Sequence, residues 1–216
     1  MLSFSPADLI SRILILLIVF PAHELAHAVA ATRFGDPTPR AAGRLTLNPF
    51  KHLNLVGSLM FVLMGVGWAS TPVNPANFGE RRRLKMGIVS LAGPLANLVL
   101  AFLGAVPFHL FRWNAALASA NPNIPDPAYF FTLFVFLNLL LLVFNLVPIA
   151  PLDGAAVLGA LMPGEASEGY DAIQRFGPYL LMAIVFFLPF LGFNPLIVLL
   201  QYFVYPFLRL LVPGIA

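Results

Sequence analysis

Nothing constrains this chain more than the stretch Phe20-Pro21-Ala22-His23-Glu24-Leu25-Ala26-His27-Ala28, an H-E-x-x-H motif at the end of an apolar run. On a helix, positions i and i+4 share a face, so His23 and His27 can both offer imidazole nitrogens to one zinc ion. Glu24 lies about 100° round the helix, close enough to take a proton from water held at that ion. In a soluble protein this pattern points to metal-dependent peptide hydrolysis. Here residues 9–20 are almost all apolar, which places the motif inside a membrane.

The composition agrees. Of the 216 residues, 60% are hydrophobic and only 10% are charged, against about 25% charged in an ordinary soluble domain. An integral membrane protein follows. The 21 Phe suit lipid-facing helices, and the 20 Pro imply frequent breaks in them. A net charge of +3 could suggest a nucleic-acid partner, but the placement of the charges argues against one. Arg33, Arg40, Arg44, Lys51, Arg81, Arg82, Arg83 and Lys85 all flank apolar segments, as positive-inside topology signals do. There is no cysteine, so a zinc site must be built from His and carboxylate. The N-terminal run has only Arg12 as an n-region charge, and cleavage near Ala28 or Ala30 would fall just after the histidines, so it reads as a retained span.

Five segments are long enough to span, at about 20 apolar residues per crossing. They are roughly 9–31, 86–111, 129–149 (running on to about 161), 177–193 and 194–212. A sixth apolar segment, 53–68, is short for a span. The loops on both its sides, 32–52 and 79–85, carry four basic residues each and mark the same, cytoplasmic, face. Segment 53–68 is therefore expected to be re-entrant or interfacial. The stretches 43–49 and 68–75 read as short strands or turns, predicting a small β element at the cytoplasmic face. The expected architecture is an all-α polytopic membrane protein of one domain over 1–216, with a core at about 9–161 and C-terminal helices over 177–212. The N-terminus is expected outside.

A catalytic zinc takes three protein ligands and keeps a position for water. Besides His23 and His27, the candidates are carboxylates. Asp8, Asp36, Glu80, Asp126, Glu165, Glu168 and Asp171 lie in loops or near chain ends and read as solvated charges. Asp153 differs: it follows the third span, among apolar residues, and an ionisable group at membrane depth is costly unless paired or functional. Pro148 and Pro151 break the helix before it, and Gly154 permits a close turn after it. With 53–68 re-entrant, the first and third spans run in the same direction, and Asp153 falls toward the same leaflet as His23. With 53–68 spanning, it would fall in the opposite leaflet. His52, in the basic loop, is expected to be solvated, and His109, near the far end of the second span, to lie in the wrong leaflet to reach the site.

Taken together, His23-Glu24-Leu25-Ala26-His27, the N-x-x-P-x-x-P-L-D-G run at 145–154 and Ala92-Gly93-Pro94-Leu95-Ala96-Asn97 resemble the site-2 protease family of intramembrane zinc metalloproteases. The resemblance implies one zinc ion held by His23, His27 and Asp153, with Glu24 activating water. It implies as substrate a membrane-embedded segment of another protein, which must unwind locally before its carbonyls can be attacked. The length leaves no room for the PDZ domain or CBS pair of many relatives, so a minimal form in a prokaryotic plasma membrane is expected, its site toward the cytoplasmic leaflet. Asn145 and Asn97 are polar residues within spans. Interhelical hydrogen bonding is one role for them, and holding substrate backbone or an oxyanion is the other. The alternative from another class is a membrane zinc-binding or transport protein without protease activity. Such a protein would line a polar path through both leaflets, and the outer halves of the first and third spans are nearly pure Leu, Ile, Val and Phe.

Overall fold

The computed structural model describes residues 5–64, 69–117 and 123–215. Among the described residues, three helices are long and apolar enough to cross a bilayer: α1 (Pro6–Arg33), α4 (Arg82–Leu110) and α5 (Pro127–Asn145). Their starts follow from local chemistry. Ser5 Oγ accepts from the Asp8 N–H at 3.2 Å, and Asp126 Oδ1 accepts from Ala128 and Tyr129 at 2.8 and 3.2 Å. In each case a proline then occupies the first turn, where its missing N–H costs nothing.

Side-chain pairs fix the relative directions of these helices. His23 and His27 of α1 meet Asn97 and Val89 of α4, so the two helices are antiparallel. Asn97 meets Asn138, and Gly104 lies against Phe134 and Val135, so α4 and α5 are antiparallel too. Consequently α1 and α5 run parallel, as the loop charges predict. The Tyr129 hydroxyl bonds the buried Asp8 carboxylate where both helices begin. Ile15, Leu16, Val19 and Phe20 of α1 pack with Phe134, Leu137, Leu140 and Leu141 of α5 in the main apolar core.

The region between α1 and α4 makes a return excursion along α1. After the short helix α2 (Thr38–Ala41), Leu47 lines an apolar groove with Val29 and Arg33 of α1. Helix α3 (Leu55–Met64) then advances toward the start of α1. Phe61 meets Phe20 edge to face with centroids 5.0 Å apart, and the buried Arg12 guanidinium donates to Val62 O and Leu63 O at 2.9 and 3.3 Å. A cation at these last-turn carbonyls complements the helix dipole. Residues 65–68 lie outside the described part. The chain is next found back at Glu24, where Thr71 Oγ1 donates to the backbone carbonyl at 3.1 Å. It then reaches Asp36, beyond the end of α1, which accepts from Asn74 N and Asn77 Nδ2 at 2.8 and 2.7 Å.

Three expectations change. First, 43–48 is turn, bend and irregular chain and 69–74 is irregular chain, each leading into a short 3-10 turn (Pro49–Lys51 and Pro75–Phe78), with no strand among the described residues; Trp68 lies outside them. Side chains take the donors that a ladder would need: Thr46 Oγ1 accepts from Asn48 N, Asn48 Oδ1 from Phe50 N, and Asn74 Oδ1 from Ala76 N. Second, Asp8, Asp36 and His52 are buried instead of solvated. Asp36 anchors the returning chain, and His52 Nε2 donates to Thr46 O at 2.7 Å. Third, among the described residues three of the five expected spans appear as single long helices, and the C-terminal segments are shorter apolar helices. α7 (Gly164–Gln174) leads into α8 (Gly177–Met182), which runs on to Leu191 and is bent by 56° from Glu168–Gln174, and α9 (Pro195–Leu199) runs on into α10 (Tyr205–Leu211). Pro189 and Pro206 each withhold a helical N–H, and wide five-residue turns at Ala183–Phe187 and Leu200–Val204 absorb the disruption.

Asp36 gives a prediction for acid stability. Burial works to raise its carboxyl pKa, but hydrogen bonds from Thr38, Asn74 and Asn77 outweigh it and hold the group below its ordinary value. The folded protein keeps Asp36 ionised to lower pH than the unfolded chain does. Its contribution is complete above the unfolded pKa of about 3.9 and is lost as pH falls through the folded value. Asp36→Asn puts an N–H₂ against donors and is expected to cost about 1–3 kcal/mol at neutral pH. It should also flatten the acid limb of thermal unfolding measured in detergent.

Candidate metal centre

Three elements supply the centre. α1 presents His23 and His27 toward α4, and α4 contributes no Cβ at Gly93, where the two rings pass. A Cβ built there would lie 2.5 Å from His23 Nε2 and 2.5 Å from His27 Cε1, and closer still to His27 Nε2. The third element is α6 (Asp153–Leu161), which begins with Asp153 and packs on the first half of α4, where Gly87 lies against Ala156 and Ala160. Gly154 lets Leu146 O and Val147 O of the preceding loop close tightly over the start of α6.

The donor atoms converge. His23 Nε2 lies 3.3 Å from Asp153 Oδ2, His27 Nε2 lies 3.4 Å from Asp153 Oδ1, and the two Nε2 atoms are 3.0 Å apart. One ligand atom from each of the three residues lies within 4.8 Å of the others. Zinc–ligand bonds of about 2.0–2.2 Å in a tetrahedron put neighbouring donors about 3.3 Å apart, so the spacing suits that ion.

Hydrogen bonding behind the rings fixes their tautomers. Phe134 O can only accept, so Asn138 Nδ2 donates to it at 2.8 Å, and Asn138 Oδ1 must then accept from Asn97 Nδ2 at 3.1 Å. That leaves Asn97 Oδ1 to accept from the Nδ1–H of His23 at 2.5 Å. His27 Nδ1–H donates to Val89 O at 2.7 Å by the same logic. When neutral, both rings therefore turn unprotonated Nε2 lone pairs toward each other and toward a carboxylate. Such an arrangement is repulsive unless a cation sits among the three donors, and it is the orientation that histidine ligands take when an outer partner holds their other nitrogen.

Glu24 is buried on the same turn, and its Oε2 has no hydrogen-bond partner among the described residues. An orphaned buried carboxylate oxygen beside three metal donors suits a base whose partner is a reactant. The side chains of His23 and His27 are 11% and 10% exposed and that of Asp153 is 17%, so the centre is most open on the Asp153 side.

The two asparagines sit in different surroundings. Asn97 is fully buried with its carbonyl oxygen and its amide nitrogen both engaged, between His23 and Asn138, behind the rings rather than before them. Asn145 Nδ2 donates to Leu141 O of its own helix at 3.0 Å. Asn138 was not singled out by the sequence reading, although a polar residue in a Leu/Phe run was the available signal. His109 sits at the far end of α4, bonded to Leu211 O at 3.1 Å and away from the centre.

Comparison with known proteins agrees with this geometry. Residues 11–121 match peptidase family M50. A Bacillus subtilis protein named "Putative zinc metalloprotease YwhC" is 38% identical over 191 residues, covering 86% of this chain and 84% of that protein. "Putative zinc metalloprotease Rip2" is 34% identical in Mycolicibacterium smegmatis, covering 79% of this chain and 64% of that protein, and 32% identical in Mycobacterium tuberculosis strain Erdman, covering 77% and 62%. The chain thus spans less than two thirds of the Rip2 proteins. No solved structure matches it. With the motif in α1, the donor set it forms with Asp153 and these matches, the chain belongs to peptidase family M50, the site-2 proteases.

Proposed function

We propose that the chain is an intramembrane zinc metalloprotease in which His23, His27 and Asp153 hold the zinc and Glu24 is the general base. The observation that carries the reading is the convergence of two oriented Nε2 atoms and one carboxylate beside an unpartnered Glu24 Oε2. Zinc bound there supplies a Lewis acid that polarises the scissile carbonyl and acidifies water. Glu24 receives the proton of the attacking water and delivers it to the leaving amine. Asn97, backed by Asn138, keeps the His23 ring turned and its Nδ1 protonated. Asn145, half-buried at the end of α5, is proposed to hold substrate backbone.

The protein is integral to the membrane, and its substrates are membrane proteins. The basic residues Arg33, Arg40, Arg44, Arg81, Arg82 and Arg83 cluster where α1 ends and α4 begins, the end nearest the metal centre, which supports a cytoplasmic-side site and an outside N-terminus. The return excursion of α3 along α1 favours a re-entrant segment. Between Leu188 and Leu211 the outward faces carry Phe190, Leu191, Phe207 and Leu210, which suits lipid contact beside the three-helix core. A prokaryotic plasma membrane is the proposed setting, as the similar proteins are bacterial.

Zinc transport is disfavoured by the packing between His23 and the start of α1. Ile15, Leu16, Val19 and Phe20 are sealed against Phe134, Leu137, Leu140 and Leu141, an apolar plug where a transporter needs polar groups. The test uses purified protein in proteoliposomes with a membrane-embedded peptide substrate. Cleavage that a chelator abolishes and zinc restores is expected, without zinc accumulating in the vesicles. Zinc uptake without cleavage would overturn the reading.

A further inference from the structure

The proposed third ligand lacks the support that the two histidines have. His23 and His27 each have a buried hydrogen-bond partner behind the ring, whereas the hydrogen bonds and ion pairs seen for the Asp153 carboxylate lead only to the histidine Nε2 atoms. Its position is set by its backbone, at the junction of loop 146–152 with the nine-residue helix α6. That loop contains Pro148 and Pro151 and so lacks two donors for internal bonding. Val147, Ile149 and Leu152 still find carbonyls locally, at 3.1, 2.8 and 3.0 Å, whereas the N–H of Ala150 points out of the loop.

It points at Gln174. The Gln174 side-chain amide reads the loop on both sides: Oε1 accepts from Ala150 N at 2.5 Å and Nε2 donates to Pro148 O at 3.1 Å. One turn earlier on α7, the Tyr170 hydroxyl lies 3.1 Å from Pro148 O and 3.1 Å from Ala155 O, bridging the loop to the first turn of α6. Residues 170 and 174 share a face of α7, so the two side chains grip the backbone on either side of Asp153. Gly177 extends the contact, because a Cβ there would lie 2.6 Å from Ala150 O and 2.7 Å from Ala150 Cβ. Asp171, between the gripping residues, ion-pairs with Arg83 at the start of α4, tying α7 to the helix that carries Gly93 and Asn97.

We propose that α7 is a clamp, with Gln174 and Tyr170 as positioning residues that hold the Pro148–Asp153 backbone so that the Asp153 carboxylate faces His23 and His27. The clamp rests on the assignment of Asp153 as a zinc ligand. It acts on the metal through the backbone, and its loss lowers metal affinity while leaving Glu24 and both histidines in place.

The experiment uses the full-length protein in detergent and measures zinc dissociation by competition with a chromophoric chelator. Gln174→Met keeps length and removes both hydrogen bonds, and Tyr170→Phe removes only the hydroxyl. Each is expected to raise the zinc dissociation constant about 10–100-fold, the range for partners one shell out from a metal. Peptidase activity at limiting zinc should fall by a similar factor and recover at saturating zinc, which a merely structural defect would not do. His23→Ala runs in parallel. Should it lose zinc while Gln174→Met and Tyr170→Phe hold zinc like the unmodified protein, the clamp alone is overturned. Should His23→Ala also hold zinc normally, the metal centre is overturned and the clamp with it. A loss of activity in the clamp variants that saturating zinc does not restore also overturns the clamp. If Gln174→Met does not fold, the hydroxyl deletion decides the matter by itself.

Discussion

Glu24→Gln is expected to retain zinc with unchanged affinity and to cleave a membrane-embedded substrate about 10²–10⁴-fold more slowly, the range for removing a general acid–base. The substitution keeps the volume and shape of the side chain in its buried position on α1. It alters neither the Asn97 and Val89 bonds that orient the rings nor the spacing of the donors. What it removes is the basic oxygen, Oε2, which has no hydrogen-bond partner among the described residues. An amide cannot accept a proton there at neutral pH, so kcat carries the loss, and KM should move little because substrate binding does not need the base. Metal content by atomic emission and single-turnover cleavage of a labelled peptide in the same sample provide the readout. Full activity in this variant with its zinc in place would remove Glu24 from the mechanism. Loss of zinc would instead make it a ligand or a support of one.

The centre was legible in the sequence to different depths, according to how far apart its parts lie along the chain. His23, Glu24 and His27 sit within one helical turn, so spacing alone gives their relationship. Asp153 is remote in sequence: its apolar surroundings singled it out, the charges that flank 53–68 put it in the leaflet of His23, and the family resemblance implied it as a ligand. Those charges fixed the relative directions of the first and third spans, and the Asp8–Tyr129 pairing is consistent with that inference. The family match stops at residue 121, so the meeting of Asp153 with the histidines stands on the fold itself.

Rotation of a helix about its axis was not legible. Asn97 was visible as a polar residue in a span, but whether its amide faced the substrate or the back of His23 depends on packing against α1 and α5. The same applies to Asp36 and His52. A charge in a basic loop reads as solvated until a distant segment, here 74–77, folds over it. Hydropathy also measured the C-terminal segments for apolar content but not for helical continuity. Pro189 and Pro206 were the signals that the regular hydrogen bonding of those helices would be interrupted. Gln174 and Tyr170 carried no signal at all, because an exposed-looking amide on an amphipathic loop helix is ordinary until its partner backbone is known.

Gly93→Ala tests the most crowded point of the centre. Alanine favours a helix over glycine by about 1 kcal/mol, so α4 itself gains from the change. The new methyl, however, would lie within 2.5 Å of His23 Nε2, where the donors converge. The rings cannot swing away without breaking the bonds from Nδ1 to Asn97 and Val89 O, both in a buried setting where an unpaired donor costs about 1–3 kcal/mol. The methyl therefore displaces the metal position or distorts both ligands, and a zinc affinity at least about 100-fold weaker is expected, with loss of cleavage. Gly104→Ala is the matched control on the same helix. Its methyl would lie 2.6 Å from Phe134 Cδ1, an overpacking cost of about 1–3 kcal/mol against α5 and remote from the histidines. Thermal unfolding should therefore register Gly104→Ala while its zinc content stays normal, and zinc content should register Gly93→Ala. If both variants keep zinc, the rings have more freedom than the buried Nδ1 bonds allow. If both lose it, helix packing rather than the approach of α4 to the imidazoles governs the metal.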